Sequence, residues 1–130
     1  MSDLRPNGVK LKLGKNEYEL RFTINAIDDI QEYFDMEISK ITDLFKDRKK
    51  QMKNLRYLLT LLINENIDCK NDENEEKIPH VEERYIGRQI DTTNVSKCIE
   101  AIYGAFSAHS PEPKEEDEED PNVTSGQQKN

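Results

Sequence analysis

The sequence predicts a mainly α fold with an N-terminal β-hairpin (α+β), built from four to five amphipathic helices and followed by a disordered acidic C-terminal tail. Three observations lead there. Residues 9–22 alternate apolar and charged side chains, the period of a half-buried strand, whereas residues 24–106 repeat apolar positions at intervals of three and four. From Ser110 the chain has no aromatic or large aliphatic residue except Val123, and it carries the run Glu115-Glu116-Asp117-Glu118-Glu119-Asp120. A segment so polar and self-repelling buries too little apolar surface to offset its conformational entropy. Residues 1–7 read as a flexible N-terminus, 8–109 as a single globular domain and 110–130 as the tail.

Charge follows the same division. The tail holds seven acids against Lys114 and Lys129, about −5 of the formal −8, which leaves about −3 for residues 1–109. A body of that length makes one core, and a thin one, since only 34% of the chain is hydrophobic and tryptophan is absent. Its longest apolar stretch, Leu58 to Ile63, is interrupted by Thr60 and falls far short of the roughly 20 residues that span a bilayer. Met1 to Pro6 lacks the basic and apolar regions of a secretory signal, so a cytoplasmic protein is expected. Cys69 and Cys98 have no further cysteine or close histidine to form a ligand cluster and read as reduced thiols, with Cys98 facing a core.

In chain order, Val9 to Leu13 and Tyr18 to Phe22 are strand-like and flank a turn at Gly14-Lys15-Asn16-Glu17. A two-residue loop at Gly14-Lys15 opposes Leu11 to Tyr18, Val9 to Leu20, Lys12 to Glu17 and Lys10 to Glu19. A four-residue loop matches the apolar residues equally well but sets Lys10 against Arg21, so charge favours the shorter loop. Two strands are marginal alone, and Val9, Leu11, Leu20 and Phe22 must pack on helices or meet a third strand. Thr23 then caps a helix over about 24–35, with Ile24, Ile27, Ile30 and Phe34 inward. A short segment over 38–46 brings Ile38, Ile41, Leu44 and Phe45 to one side. Residues 49–67 carry the widest stripe, Met52, Leu55, Leu58, Leu59, Leu62, Ile63 and Asn66, and predict the central helix. The polar stretch Asp68 to Lys77 reads as an exposed loop. Pro79 is placed to open a helix over 79–89 with Val81, Tyr85 and Ile86 inward. Asp91, Thr92 or Thr93 caps a last helix over 93–109, whose buried face is Val95, Cys98, Ile99, Ile102, Tyr103 and Phe106. Gly104, inside that helix, implies a close helix–helix contact, and Gly87 is suited to a helix end.

Reactive constellations are scarce. His80 and His109 lack the helical spacing that presents metal ligands on one face, and Glu82 and Glu83 beside His80 read as a solvated first turn rather than an acid–base set. The glycines are scattered singly, without a phosphate-binding loop, and no serine sits in a nucleophile elbow. Neither an enzyme nor a bound cofactor or metal is expected. One cluster suits binding: Lys46, Lys49, Lys50, Lys53 and Arg56 recur at three and four, with Lys40 and Arg48 nearby. The stripe reads either as a solvated outer face or as a dock for an acidic partner or the chain's own tail. Nucleic acid fits poorly, because the net charge is negative and Tyr57 is the stripe's one aromatic companion.

The opening Gly8-Val9-Lys10-Leu11-Lys12-Leu13-Gly14-Lys15-Asn16-Glu17-Tyr18-Glu19-Leu20-Arg21-Phe22-Thr23-Ile24-Asn25-Ala26-Ile27-Asp28-Asp29-Ile30 resembles the start of the small tail assembly chaperones of long-tailed bacteriophages and prophages. Their strand-turn-strand "L-x-G-K-x-Y-x-L-R-F" runs into a helix "T-x-x-A-I-x-x-I-E". The Leu-rich middle helix and the closing helix with a charged tail are similar in order and length, so the resemblance covers most of residues 8–108. The acidic loop Asn71 to Lys77 and the very acidic tail depart from the pattern. The resemblance implies a non-enzymatic protein of the host cytoplasm, absent from the mature virion, that keeps the tape-measure protein soluble until the tail-tube protein polymerises around it. Several copies along one client are implied, a homo-oligomer among the arrangements. A longer form made by ribosomal frameshifting is also implied, near Gln127-Gln128-Lys129-Asn130. An apolar groove between amphipathic helices suits helical client segments. The candidate partner-binding residues are the stripe, Lys46, Lys49, Lys50, Lys53 and Arg56, with the apolar Leu55, Leu59, Tyr103 and Phe106. The competing class is an acidic interaction module of another kind, a DNA mimic or a minor virion component.

Overall fold

The computed structural model describes residues 8–75 and 77–109; the flexible N-terminus expected over 1–7 and the disordered tail expected over 110–130 lie outside the described residues. Strands β1 (Val9–Leu13) and β2 (Asn16–Leu20) form a two-stranded antiparallel sheet. Helix α1 (Ile24–Phe34), a 3-10 helix (Ile38–Phe45), and helices α2 (Arg48–Asn74), α3 (Glu83–Gly87) and α4 (Val95–His109) follow.

The hairpin takes the two-residue loop, with Val9 opposite Leu20, Lys10 opposite Glu19, Leu11 opposite Tyr18 and Lys12 opposite Glu17. Gly14 supplies the left-handed φ of 63° at the first loop position. Leu11, Leu13, Leu20 and Phe22 are buried against the helices, and no third strand is present among the described residues. Helix α4 packs on β1 and helix α2 on β2. Gly104 lies against the Val9 side chain, and a Cβ there would sit at an ordinary 3.8 Å. The close helix–helix contact expected at this glycine is therefore not found: its neighbour is a strand side chain, at a distance that a methyl group would tolerate.

Thr23 caps α1, its hydroxyl accepting from Ala26 N at 3.1 Å. Ala26 and Ile30 define the buried face and Ile27 and Phe34 its margins. Ile24, expected inward, is 72% exposed, since at 100° per residue it projects about 140° away from the direction of Ala26 and Ile30. Asp35 ends α1 in the left-handed conformation, and Gln31 Oε1 accepts from Ile38 N at 2.9 Å to start the 3-10 helix. Ile41, Leu44 and Phe45 are buried there as expected.

The largest departure from expectation is α2, which continues to Asn74 instead of ending near Ile67. Its apolar stripe is as read: Leu55, Leu58, Leu59, Leu62 and Ile63 are buried, and Asn66 joins them. Met52 lies ahead of the covered part of that stripe and is 43% exposed. Beyond Ile67 the helix has no continuous apolar face and is held by polar tertiary links. Arg21 donates from Nε to Asn66 Oδ1 at 3.1 Å and from its backbone N–H to Leu62 O at 3.2 Å, and its guanidinium lies 3.8 Å from Glu73. Thr23 donates to Glu65 at 2.6 Å, and Lys70 lies 3.8 Å from Glu19. Glu75, with φ 56°, terminates the helix.

The helix expected over 79–89 shrinks to the single turn of α3, and Pro79 lies in an extended strap before it. Two asparagines of α2, seven residues and hence about two turns apart on one face, hold that strap. Asn71 donates to Ile78 O at 3.0 Å and accepts from Ile78 N at 2.9 Å, and Asn64 does the same for Val81 at 3.0 and 2.8 Å. Each side-chain amide thus stands in for a neighbouring strand, which explains how an isolated extended segment keeps its backbone satisfied. Ile86 is buried, but Tyr85 is exposed because the short turn leaves it on the outer side. Before α4, Asp91 accepts from the Thr93 backbone and hydroxyl, which holds its carboxyl below the ordinary range, and Asn94 accepts from Asp91 N at 2.9 Å. Cys98, Ala101, Ile102 and Ala105 form the buried face of α4, with Val95, Ile99, Tyr103 and Phe106 half-buried.

Asn64→Ala is expected to speed hydrogen exchange at the Val81 amide and to lower stability to urea by about 0.5–1.5 kcal/mol, the net worth of a typical hydrogen bond, because these groups are only part-buried. Burial raises the Cys98 thiol from 9.0 to about 11. Its contribution to stability is therefore fully present below pH 9 and lost as pH rises through about 11. Urea melts at pH 8 and near pH 10.5 should show a smaller loss for Cys98→Ala than for the natural chain.

Candidate functional site

The basic stripe does not survive folding as one surface. Lys46 pairs with Asp43 at 3.0 Å and lies near Tyr103, whose hydroxyl is pushed up by burial and partly restored by that ammonium. Arg56 turns to α3, where Nε meets Glu83 Oε2 at 2.9 Å and the side chain lies over Gly87, the last residue of α3. Lys49, Lys50 and Lys53 remain exposed. Leu55 and Leu59, grouped with the stripe as contact residues, are fully buried in the chain's own core and present nothing to a partner in this fold. Tyr103 and Phe106 are half-buried and engaged internally, Tyr103 edge-on to Phe45 and Phe106 edge-on to Phe22.

Lys50 and Lys53 instead border a groove of about 480 Å³ where α1, the 3-10 helix and the first half of α2 meet. Tyr33, Phe34, Leu44 and Asn54 line it, as do Asp43 and Asp47. Its walls are set by α2: Asn54 donates to Leu44 O at 2.8 Å and Gln51 to Phe45 O at 2.9 Å, fixing the last turn of the 3-10 helix. Asp47 caps α2 by accepting from Lys49 N at 3.0 Å. Tyr33 stacks on Tyr57 with centroids 3.8 Å apart and planes within 9°, and Phe34 meets both rings edge-on. Burial, and after it the charge of Asp29, raises the Tyr57 hydroxyl. Tyr33 is nevertheless 52% exposed, so the cluster offers a rigid aromatic rim beside two ammonium groups.

Sequence reading missed Tyr33 because the inward set it chose for α1, Ile24, Ile27, Ile30 and Phe34, is centred away from the Ala26 side, where Tyr33 lies two turns further on. The stacking arises from the crossing of two helices, and the only local signal was Tyr57 among the lysines. The acid–base set around His80 is not assembled. His80 Nε2 lies 2.7 Å from Asp68 Oδ1 on the open surface, while Glu83 is engaged by Arg56. Among the described residues no cluster of three or more His, Cys, Asp or Glu side chains is arranged to hold a metal ion, and no helix is long and apolar enough to cross a membrane. Comparison with protein-family models, with curated proteins and with solved structures finds no significant match to this chain.

The groove and the core separate by mutation. Tyr33→Ala is expected to cost no more than about 1 kcal/mol in urea melts, the worth of an aromatic pair. Leu59→Ala, emptying a fully buried site, should cost about 2–5 kcal/mol.

Proposed function

We propose that this protein is a non-enzymatic tail assembly chaperone of a long-tailed bacteriophage or prophage, which binds the tape-measure protein and releases it to the tail-tube protein during assembly. The groove carries the reading: an open cleft walled by helices in which Tyr33 and Phe34 offer apolar anchorage, Lys50 and Lys53 positive charge and Asp43 and Asp47 negative charge. A helical client segment with an apolar stripe, flanked by carboxylates on the side of Lys50 and Lys53 and by basic residues on the side of Asp43 and Asp47, is the chemistry that fits it. The likeness of residues 8–30 to the opening of such chaperones supports the same assignment, as does the order of hairpin, long Leu-rich helix and closing helix. In this reading the protein works in the host cytoplasm, in several copies per client, and leaves before the virion matures.

Co-expression with the tape-measure protein of the same phage tests it. The natural chain is expected to keep that client in the soluble fraction and copurify with it. Tyr33→Ala combined with Lys50→Glu and Lys53→Glu should lower the retained client about tenfold, as for loss of an interface hot spot, with the circular-dichroism melt still cooperative and its midpoint lowered by no more than about 8 °C. Equal retention by the variant, no retention by the natural chain, or abundant protein in purified particles would each defeat the assignment.

A further inference from the structure

Among the described residues, strand β1 is paired on one side only. In a hairpin with a two-residue loop, the pair flanking the loop exchanges both main-chain hydrogen bonds and the pairs alternate from there. Leu13, Leu11 and Val9 therefore use their backbone groups on β2, while Lys10 and Lys12 turn theirs outward. Among the described residues no other backbone hydrogen bond reaches Lys10 or Lys12. Alongside runs a cleft of about 410 Å³ whose far wall is Lys97, Glu100 and Ala101 of α4. An open strand edge with a helix across a cleft is the arrangement that accepts an added strand.

Charge selects what can be added. Any antiparallel self-pairing of β1 that keeps its leucines on one face sets lysine opposite lysine, which disfavours a second copy at this edge. The cross-strand acids leave these lysines uncommitted: Glu19 lies 3.8 Å from Lys70, and among the described residues no ion pair holds Lys10, Lys12 or Lys97. We propose that the β1 edge is a docking site for an extended partner segment in which carboxylate and apolar residues alternate. Its main chain would pair with the outward donors and acceptors of Lys10 and Lys12. Its carboxylates would oppose those two side chains as Glu17 and Glu19 do from β2, and its apolar residues would face the leucine side above Ala101. The chain's own run Glu115 to Asp120 fits less well, because consecutive acids place half of their carboxylates on that leucine side. This site is separate from the Tyr33 groove and does not depend on the function proposed for it.

The test is a titration of the full-length ¹⁵N-labelled protein with an acetylated heptapeptide of alternating valine and glutamate, read by amide shifts and hydrogen exchange. The Lys10 and Lys12 amides are expected to move downfield and gain protection, while those of Leu11 and Leu13 move little. Lys10→Glu with Lys12→Glu should weaken this peptide about tenfold and admit its lysine counterpart. Lys12→Pro, which removes an outward N–H at an edge position that tolerates proline, should also weaken binding without unfolding the hairpin. Equal binding of the lysine peptide by the natural chain, or shifts confined to the Tyr33 groove, would overturn the proposal. So would concentration-dependent protection of Lys10 and Lys12 without peptide, which identifies a second copy as the occupant. Protection released when residues 115–120 are changed to glutamine and asparagine would identify the tail instead and equally overturn it.

Discussion

The described fold hangs on the seam where the chain leaves the hairpin and enters α1. Arg21 and Thr23 bond there to four residues spread over about three turns of α2, Leu62, Glu65, Asn66 and Glu73. Arg21 is the key residue, since its backbone and guanidinium both engage α2 and its side chain is only 13% exposed. A largely desolvated guanidinium is tolerable only with partners on several of its donors, and those partners are what keep the polar end of α2 helical. Because α2 receives β2, α1, the 3-10 helix, α3 and α4, the seam orients the whole hairpin against the helical layer.

That arrangement gives the two ends of the molecule different characters. At the start of α2 the surface is aromatic and basic, and its groove walls are fixed by side-chain amides reaching main-chain carbonyls. Such walls are already ordered before anything binds, so little rotamer entropy is lost on docking. At the hairpin, recognition would be carried by main chain and by charge alternation, with little apolar surface involved. If both proposals hold, one small domain would accept a helix at one end and a strand at the other, two modes that discriminate between segments of different secondary structure.

Local patterns foretold local structure. The hairpin register followed from the positions of Lys10, Lys12, Glu17 and Glu19, the Thr23 cap from its place before a helical period, and the core of α2 from its leucines. What was illegible depends on partners remote in sequence. Asp68 to Asn74 reads as loop because its composition is polar, and its helicity comes from Arg21 and from the strap that Asn71 holds. Pro79 reads as a helix opener until Asn64 and Asn71 are seen to hold that segment extended. Leu55 and Leu59 show the limit of reading a binding surface from an apolar stripe: periodicity says that the residues are covered, not by which chain. The Tyr33 and Tyr57 pair is invisible for a related reason, since the two rings belong to different helices and meet only where α1 packs on α2.

The paired asparagines also set a chemical vulnerability. Each serves simultaneously as donor and acceptor, a duality that aspartate lacks at neutral pH. Hydrolytic loss of ammonia from Asn64 or Asn71 would turn an amide nitrogen facing a carbonyl into a carboxylate oxygen facing the same carbonyl, replacing attraction with repulsion. Slow ageing of the polypeptide would thus open the strap first, well before the hydrocarbon interior registers any change.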